Sequence, residues 1–151
     1  MSEPAAIQSV VRQLLASQRL AVLATRAKNG HPYANLMAFA ASDDLRSLLL
    51  VTSRATRKYE NLMADPRVAL LIDSRSNAAS DFHEAVALTV VGRAEEVPAE
   101  DRNHLLAAYL EKHPHLEGFA SSPSCAVFRV SVSSYYLVRQ FQQVTELHLS
   151  Q

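Results

Sequence analysis

A short run of hydroxyl and cationic side chains carries the strongest chemical signal in the sequence. Seven consecutive positions hold three hydroxyls and three cations: Thr52, Ser53, Arg54, Thr56, Arg57 and Lys58. The run lies between a predicted buried strand and a short predicted helix, whose start offers free N–H groups and the positive end of the helix dipole. Arginine binds phosphate with two hydrogen bonds, and lysine adds a compact charge.

The position of the cations favours an anionic ligand. Arg57 and Lys58 fall in the first helical turn, where the dipole mildly disfavours a positive charge. A dianion in front of the helix would explain this placement, and each charge-assisted bond would contribute roughly 1.5–3 kcal/mol. The run also fits an ordinary solvated helix start with Thr56 as its N-cap, and the pattern alone leaves both interpretations open.

The elements around this run are predicted from hydrophobic periodicity. The i, i+3, i+4 pattern and its breaks at proline predict helices over residues 4–17, 53–64 and 98–112. Alternating or continuous apolar runs predict strands over residues 19–25, 32–40, 48–52, 68–73, 85–94, 124–132 and 135–138. Asn29-Gly30 is a strong hairpin turn signal, and the polar stretch 74–81 is interpreted as a mobile loop.

Short strands joined by tight turns favour antiparallel pairing in a mainly β (α+β) fold. Closure into a barrel would remove exposed edges, although propensity alone does not separate a barrel from a sandwich. We find no repeat, low-complexity tract or linker, so residues 1–151 are expected to form one domain.

Composition excludes several classes of function. The 15 basic and 15 acidic side chains cancel, so no long-range field attracts nucleic acid or an anionic membrane. No apolar run approaches the ~20 residues that span a bilayer. The single cysteine, Cys125, rules out an intrachain disulfide, and the start of the chain lacks a signal-peptide pattern, so we expect a cytoplasmic protein.

The chain resembles the pyridoxamine 5′-phosphate oxidase-like, FMN-binding split-barrel family over about residues 8–138. The resemblance is carried by Gly30-His31-Pro32-Tyr33, by the run TSRATRKYENL from Thr52, by Asp65-Pro66-Arg67-Val68 and by the strand LTVVGRAE from Leu88. Within the family the chain is most similar to the haem-utilisation branch, especially at Ser17-Gln18-Arg19-Leu20. The implied fold is a six-stranded antiparallel split β-barrel with flanking helices.

The resemblance also implies a site. The strand end and helix start of the family bind the FMN phosphate, which here assigns Thr52, Ser53, Thr56, Arg57 and Lys58, with Arg54 as a further candidate. The second strand of the family contacts the flavin ring largely through its backbone, which here assigns Ala34, Asn35, Leu36 and Met37. The family is dimeric with the flavin between subunits, so a homodimer is expected, together with a small-molecule substrate or electron donor.

Two departures from the family argue against oxidation of pyridoxamine phosphate. Ala87 stands where those enzymes carry a glutamine, and the tail around Arg139 lacks their Arg-Xaa-His element. The leading hypothesis is therefore an FMN-dependent oxidoreductase-like protein of unknown substrate. The alternatives are a haem-binding or haem-utilisation protein on the same scaffold and a non-catalytic module that binds flavin or the deazaflavin F420.

The remaining reactive side chains give weaker signals. His113 and His115 flank Pro114, which we interpret as a polar turn, and no third metal ligand is apparent, so no metal site is predicted. His148 is assigned to a frayed tail. Cys125 is interpreted as a small core residue, and one of the adjacent Tyr135 and Tyr136 is expected in the core.

Overall fold

The computed structural model describes residues 3–140 and 142–149. Its α-helices are α1 (Glu3–Ser17), α2 (Arg57–Ala64), α3 (Asp81–Glu84), α4 (Ala99–Lys112) and α5 (Glu117–Ala120), and a 3₁₀ turn covers Pro114–Leu116. Its strands are β1 (Leu20–Arg26), β2 (Pro32–Ala38), β3 (Ala40–Ala41), β4 (Ser47–Ser53), β5 (Arg67–Asp73), β6 (Ala87–Glu96), β7 (Cys125–Arg139) and β8 (Gln143–His148).

All eight strands belong to one antiparallel sheet that curls back on itself. The strand order is β2-β1-β5-β6-β7-β4-β3, and β8 pairs with the C-terminal part of β7, residues 134–139. Only Phe39 separates β2 from β3, so the two ends of the path are consecutive parts of one bent strand. With β2 and β3 counted together, the predicted six-stranded split barrel is confirmed, and β8 is an addition to it.

The interior is filled by side chains that alternate along the strands, and α1 packs against them. The largest fully buried side chains include Phe39, Phe128 and Tyr135, and the Tyr135 hydroxyl donates to the Leu45 carbonyl at 2.6 Å. The apolar face of α1 joins this core through Val11 and other residues that the helical pattern predicts: Ile7, Leu14 and Leu15. The core assignment of one of the paired tyrosines is therefore confirmed for Tyr135.

A second apolar cluster lies between α4 and the outer face of β4. Leu106 and Tyr109 of α4 pack there with Leu49 and Val51, and Cys125 is buried among them. Strand β4 is consequently covered on both faces, as its continuous apolar run predicts. Lys112, at the end of α4, donates to the Leu15 carbonyl at 2.8 Å and so links the two long helices.

Two sequence-based expectations about the second half of the chain were wrong. The two strands predicted over residues 124–132 and 135–138 form one strand, β7, because Ser133 and Ser134 continue the extended backbone that their polarity seemed to interrupt. His148 is part of β8 and not a frayed tail, since Ser134 lies opposite it. Residues 74–80 of the polar stretch lie in a loop, as predicted, and Asp81 begins α3. There the Asp81 carboxylate accepts N–H bonds from Ser76, Asn77 and Ala78.

Among residues 3–140 and 142–149, no helix combines the length and the apolar character needed to cross a bilayer.

Candidate functional site

The junction between β4 and α2 is shaped by its own hydroxyl groups. Thr56 is the N-cap of α2: its Oγ1 accepts from the Tyr59 N–H at 3.2 Å and donates to the Ser53 carbonyl at 2.9 Å. The buried Thr52 hydroxyl lies 3.1 Å from the Thr56 hydroxyl, and the Ser53 hydroxyl accepts from the Ala55 N–H. These predicted phosphate-site residues therefore fix the turn, and their hydroxyls are already hydrogen bonded within the chain.

Arg54, a further candidate for the phosphate site, is held by other partners. Its guanidinium donates to the carbonyls of Pro123 and Cys125 at 2.7 and 3.1 Å and to the Glu96 carboxylate at 2.8 Å. Glu96 also accepts a hydrogen bond from the Tyr59 hydroxyl, and its hydrogen bond with the Arg54 guanidinium, reinforced by its negative charge, raises the pKa of Arg54. Arg54 thus connects the end of β4 to β6 and β7 through these hydrogen bonds, and its guanidinium is directed to different partners from those of Arg57 and Lys58.

The two remaining cations of the run are open to a ligand. Arg57 is exposed, and its guanidinium carbon lies 6.0 Å from the centre of the Tyr33 ring. Lys58 is half-buried, and burial lowers the pKa of its ammonium group. Among the described residues, no hydrogen bond or ion pair holds the Lys58 ammonium. Because Thr56 caps Tyr59, the first-turn N–H groups of Arg57 and Lys58 also lack an intrahelical acceptor.

A groove of about 410 Å³ joins Lys58 to the second strand. We call it the β2 groove: Leu36, Met37 and Ala38 form one wall, and Phe119 and the turn after α4 form the other. Two of the four residues assigned to the flavin ring thus meet one of the six assigned to the phosphate. Ala34 and Asn35 lie nearer the start of β2 and do not line the groove. The other five phosphate-site candidates also lie outside the groove lining.

The lining of the β2 groove is apolar and positively charged. It includes Arg19, Lys58, His113 and His115, and no aspartate or glutamate. The molecule as a whole has no net charge, so this local imbalance is specific to the groove. A half-buried cation without a counter-ion is costly unless an anion joins it. The groove can therefore hold a ligand that has an apolar body and an anionic group.

His113 was misjudged from the sequence as part of a polar turn. It is buried, and its Nε2 lies 2.7 Å from the carbonyl oxygen of Phe39, at the break between β2 and β3. Burial is the main reason that the pKa of His113 is lowered, and the nearby positive charges of Lys112, His115 and Arg19 add to the effect, although the Phe39 carbonyl opposes it. The contact between His113 and Phe39 joins residues 74 positions apart, so the local sequence around His113 does not indicate that its side chain is buried.

Asn35 contributes an unexplained polar atom on the same strand. Its Oδ1 is buried and has no hydrogen-bond partner in the described part of the chain. A buried acceptor without a donor is uncommon in folded proteins. Asn35 does not line the β2 groove, so the side-chain oxygen is not exposed to a ligand there.

Two other features do not join the β2 groove. A larger cavity of about 570 Å³ lies between α1, β3 and α4, but its lining mixes cations with acids, such as Arg12 with Asp43 and Lys112 with Glu111. Within residues 3–140 and 142–149, no three His, Cys, Asp or Glu side chains are grouped to hold a metal ion.

The curled sheet and its cationic groove define a protein of the split-barrel class. The family model described as pyridoxamine 5′-phosphate oxidase matches residues 7–139, which is most of the chain. The chain belongs to this family. No curated protein matches it by sequence.

Solved structures agree with this fold. A haem binding protein from Mycobacterium smegmatis has a TM-score of 0.81 at 20% identity, over 91% of this chain and 55% of that protein. HutZ, a haem storage protein from Vibrio cholerae, has a TM-score of 0.71 at 19% identity, over 83% and 89% of the two chains. An FAD-binding protein from Mesorhizobium loti has a TM-score of 0.66 at 24% identity, over 87% and 90%. The chain thus spans little more than half of the mycobacterial protein, and at these identities the likeness concerns the fold.

Proposed function

We propose that this protein binds FMN in the β2 groove and acts as a flavin-dependent oxidoreductase. The observation that carries the proposal is the half-buried ammonium group of Lys58, which has no partner within residues 3–140 and 142–149 and lies beside the apolar wall of β2. FMN has the two parts that such a groove accepts, a dianionic phosphate and a flat, largely apolar ring. Bound FMN would supply the hydride or electron chemistry, and the protein would supply binding and orientation.

Each part of the site has a distinct task in this proposal. Arg57 and Lys58, with their first-turn N–H groups, hold the phosphate. The backbone of residues 34–37 lies along the ring. Arg54, Thr52, Ser53 and Thr56 act indirectly, because their internal hydrogen bonds fix the turn from which the two cations project.

We further propose that the site lies between two copies of the chain. Leu20, Leu36 and Leu71 are 52%, 59% and 38% exposed. Leu36 and Leu71 both pair with Val22, and Leu20 alternates onto the same face, so the three side chains form one outward patch on β2-β1-β5. This patch, which we call the leucine face, continues from the β2 groove through Leu20 and Leu36. Covering it with a second copy would remove apolar surface from water and close the groove.

The visible spectrum of the freshly purified protein tests the cofactor assignment. The proposal predicts the two-band absorption of oxidised flavin, released as FMN on denaturation and bleached by NADH or NADPH. Stoichiometric flavin that neither pyridine nucleotide reduces would indicate a non-catalytic binding module. A single deazaflavin band would indicate F420, and a colourless protein that does not take up added FMN would refute the proposal.

A haem-binding function is the second candidate, because two imidazoles line the same groove. His115 is exposed there and His113 is buried beside it, and neutral imidazole is a common axial ligand of haem iron. The solved structures from M. smegmatis and V. cholerae are described as haem proteins, which supports testing it. This candidate predicts a Soret band on haem addition that shifts in His115→Ala and not in His104→Ala, whose exposed imidazole lies on α4. An unchanged spectrum at saturating haem would exclude it.

Vitamin B6 oxidation is not proposed. Ala87 is the first residue of β6 and stands where pyridoxamine phosphate oxidases carry a glutamine. The alanine side chain can neither donate nor accept a hydrogen bond.

A further inference from the structure

The β2 groove has a second positive end, opposite the helix start. Arg19 directly precedes β1, and the next residue, Leu20, pairs with Ala38 at the end of β2. His115 comes from the turn after α4 and lines the same end of the groove. In the described part of the chain, no hydrogen bond or ion pair occupies Arg19 or His115. Both side chains are exposed, so a ligand can reach them.

Arg57 and Arg19 lie beside different parts of β2. Arg57 lies over Tyr33, near the start of β2, whereas Arg19 lies beside Ala38, five residues further along the strand. At about 3.3 Å per residue, the two positions are about 17 Å apart along β2. A phosphate bound by Arg57 near Tyr33 would leave Arg19 available for a second anion.

The surface between these ends is apolar and accessible. Leu36 and Phe119 both line the groove and are 59% and 47% exposed. No acidic side chain of the lining competes for Arg19, and the ring of buried His113, 6.3 Å from the ring of His115, closes the floor behind it. The arrangement matches a molecule whose apolar body rests on Phe119 and whose anionic group faces Arg19.

We propose that Arg19 and His115 form a second anion subsite, which takes the carboxylate of a small organic acid with an apolar body. The guanidinium offers the two parallel N–H donors that a carboxylate accepts, and His115 adds a third donor. As an account of the substrate class, this inference rests on the proposed function, because the acid would be the partner of an FMN held by Lys58. The subsite itself consists only of residues of this chain and can be measured without flavin.

Calorimetric titration with benzoate, and with benzamide as its neutral counterpart, tests the subsite on flavin-free protein. Wild type is expected to bind benzoate about tenfold more tightly than benzamide, and Arg19→Gln is expected to raise the benzoate Kd about tenfold. His115→Gln should weaken benzoate binding to a smaller extent. Arg93→Gln is the matched control, because Arg93 is exposed on β6 and lies outside the groove lining. Circular dichroism checks that each variant is folded.

The outcomes separate the subsite from the flavin proposal. Benzoate affinity that is equal in wild type and Arg19→Gln, or no benzoate binding to wild type, overturns the subsite even if FMN binds as proposed. Benzoate binding that depends on Arg19 in a protein that takes up no FMN upholds the subsite and removes the flavin. The expected result is that Arg19→Gln loses benzoate and retains wild-type affinity for FMN.

Discussion

At the scale of single residues, two side chains of the same type have different roles because they have different partners. Arg54 and Arg57 stand three positions apart, yet Arg54 is bound to Glu96 and two carbonyl groups while Arg57 is exposed to solvent. The sequence placed both in one phosphate site because the motif is local. Glu96 lies 42 positions away from Arg54, so no local pattern could reveal that pairing.

Arg54 is therefore expected to matter for stability and not for FMN affinity. Arg54→Gln should lower the free energy of unfolding by about 1–2 kcal/mol, a value reduced because the side chain is partly solvated. Its FMN affinity should stay within about twofold of wild type. Chemical denaturation and FMN titration measure the two effects, with Arg93→Gln as control. A large loss of FMN affinity with unchanged stability would return Arg54 to the phosphate site.

His113 makes stability depend on pH in the mildly acidic range. The folded protein lowers the pKa of His113 below its ordinary value of 6.5, mainly through burial. As pH falls below 6.5, the unfolded chain binds a proton that the folded protein resists, so the free energy of unfolding falls, by at most about 1.4 kcal/mol per pH unit. Denaturation at pH 7.5 and 5.5 should show this loss in wild type and in His104→Gln, and a smaller loss in His113→Gln. Equal losses in all three would contradict the assignment.

At the scale of elements, strands with an uninterrupted pattern were predicted well, and strands with polar interruptions were not. The alternation of β2 and the apolar run of β4 gave the correct burial of both strands. In β7, Ser133 and Ser134 face partners on β6 and β8 that the sequence does not reveal. The same limit applied to His113, whose partner Phe39 is 74 positions away. In the candidate site, family resemblance assigned Lys58 and β2 to the same flavin. Hydrophobic periodicity could not do so, because it gives no distances between elements.

The close pairing of β6 with β7 depends on Gly92. The register shifts between Val91 and Gly92, and a Cβ on Gly92 would lie 2.3 Å from the Ser131 carbonyl oxygen. Gly92→Ala is therefore expected to destabilise the protein by roughly 1–3 kcal/mol, because strand backbones must separate. Gly118→Ala is the matched control, since a Cβ there meets nothing within 4 Å. Thermal denaturation of the two variants makes the comparison, and equal melting temperatures would contradict it.

At the scale of the whole molecule, the proposed second copy explains why the leucine face is apolar. Leu71→Glu would place a charge on the β5 side of that face, beside Val22, and burying an unpaired carboxylate between two copies is strongly unfavourable. The variant is expected to sediment as a folded monomer under conditions in which wild type sediments as a dimer. Met63→Glu is the control, because Met63 is also exposed but lies on α2. Wild type that sediments as a monomer at micromolar concentration would refute the dimer.

Docking of the FMN phosphate at Lys58 and Arg57 is measured by the affinity ratio of FMN to riboflavin. These two ligands share the ring and differ in the phosphate, so their separate titration by flavin fluorescence isolates it. Wild type and Lys28→Gln, whose substitution lies in the exposed β1–β2 turn, should bind FMN at least about tenfold more tightly than riboflavin. Lys58→Gln should lose most of this preference while retaining its riboflavin affinity. Equal affinities of wild type for the two ligands, or an FMN preference that survives in Lys58→Gln, would contradict the account.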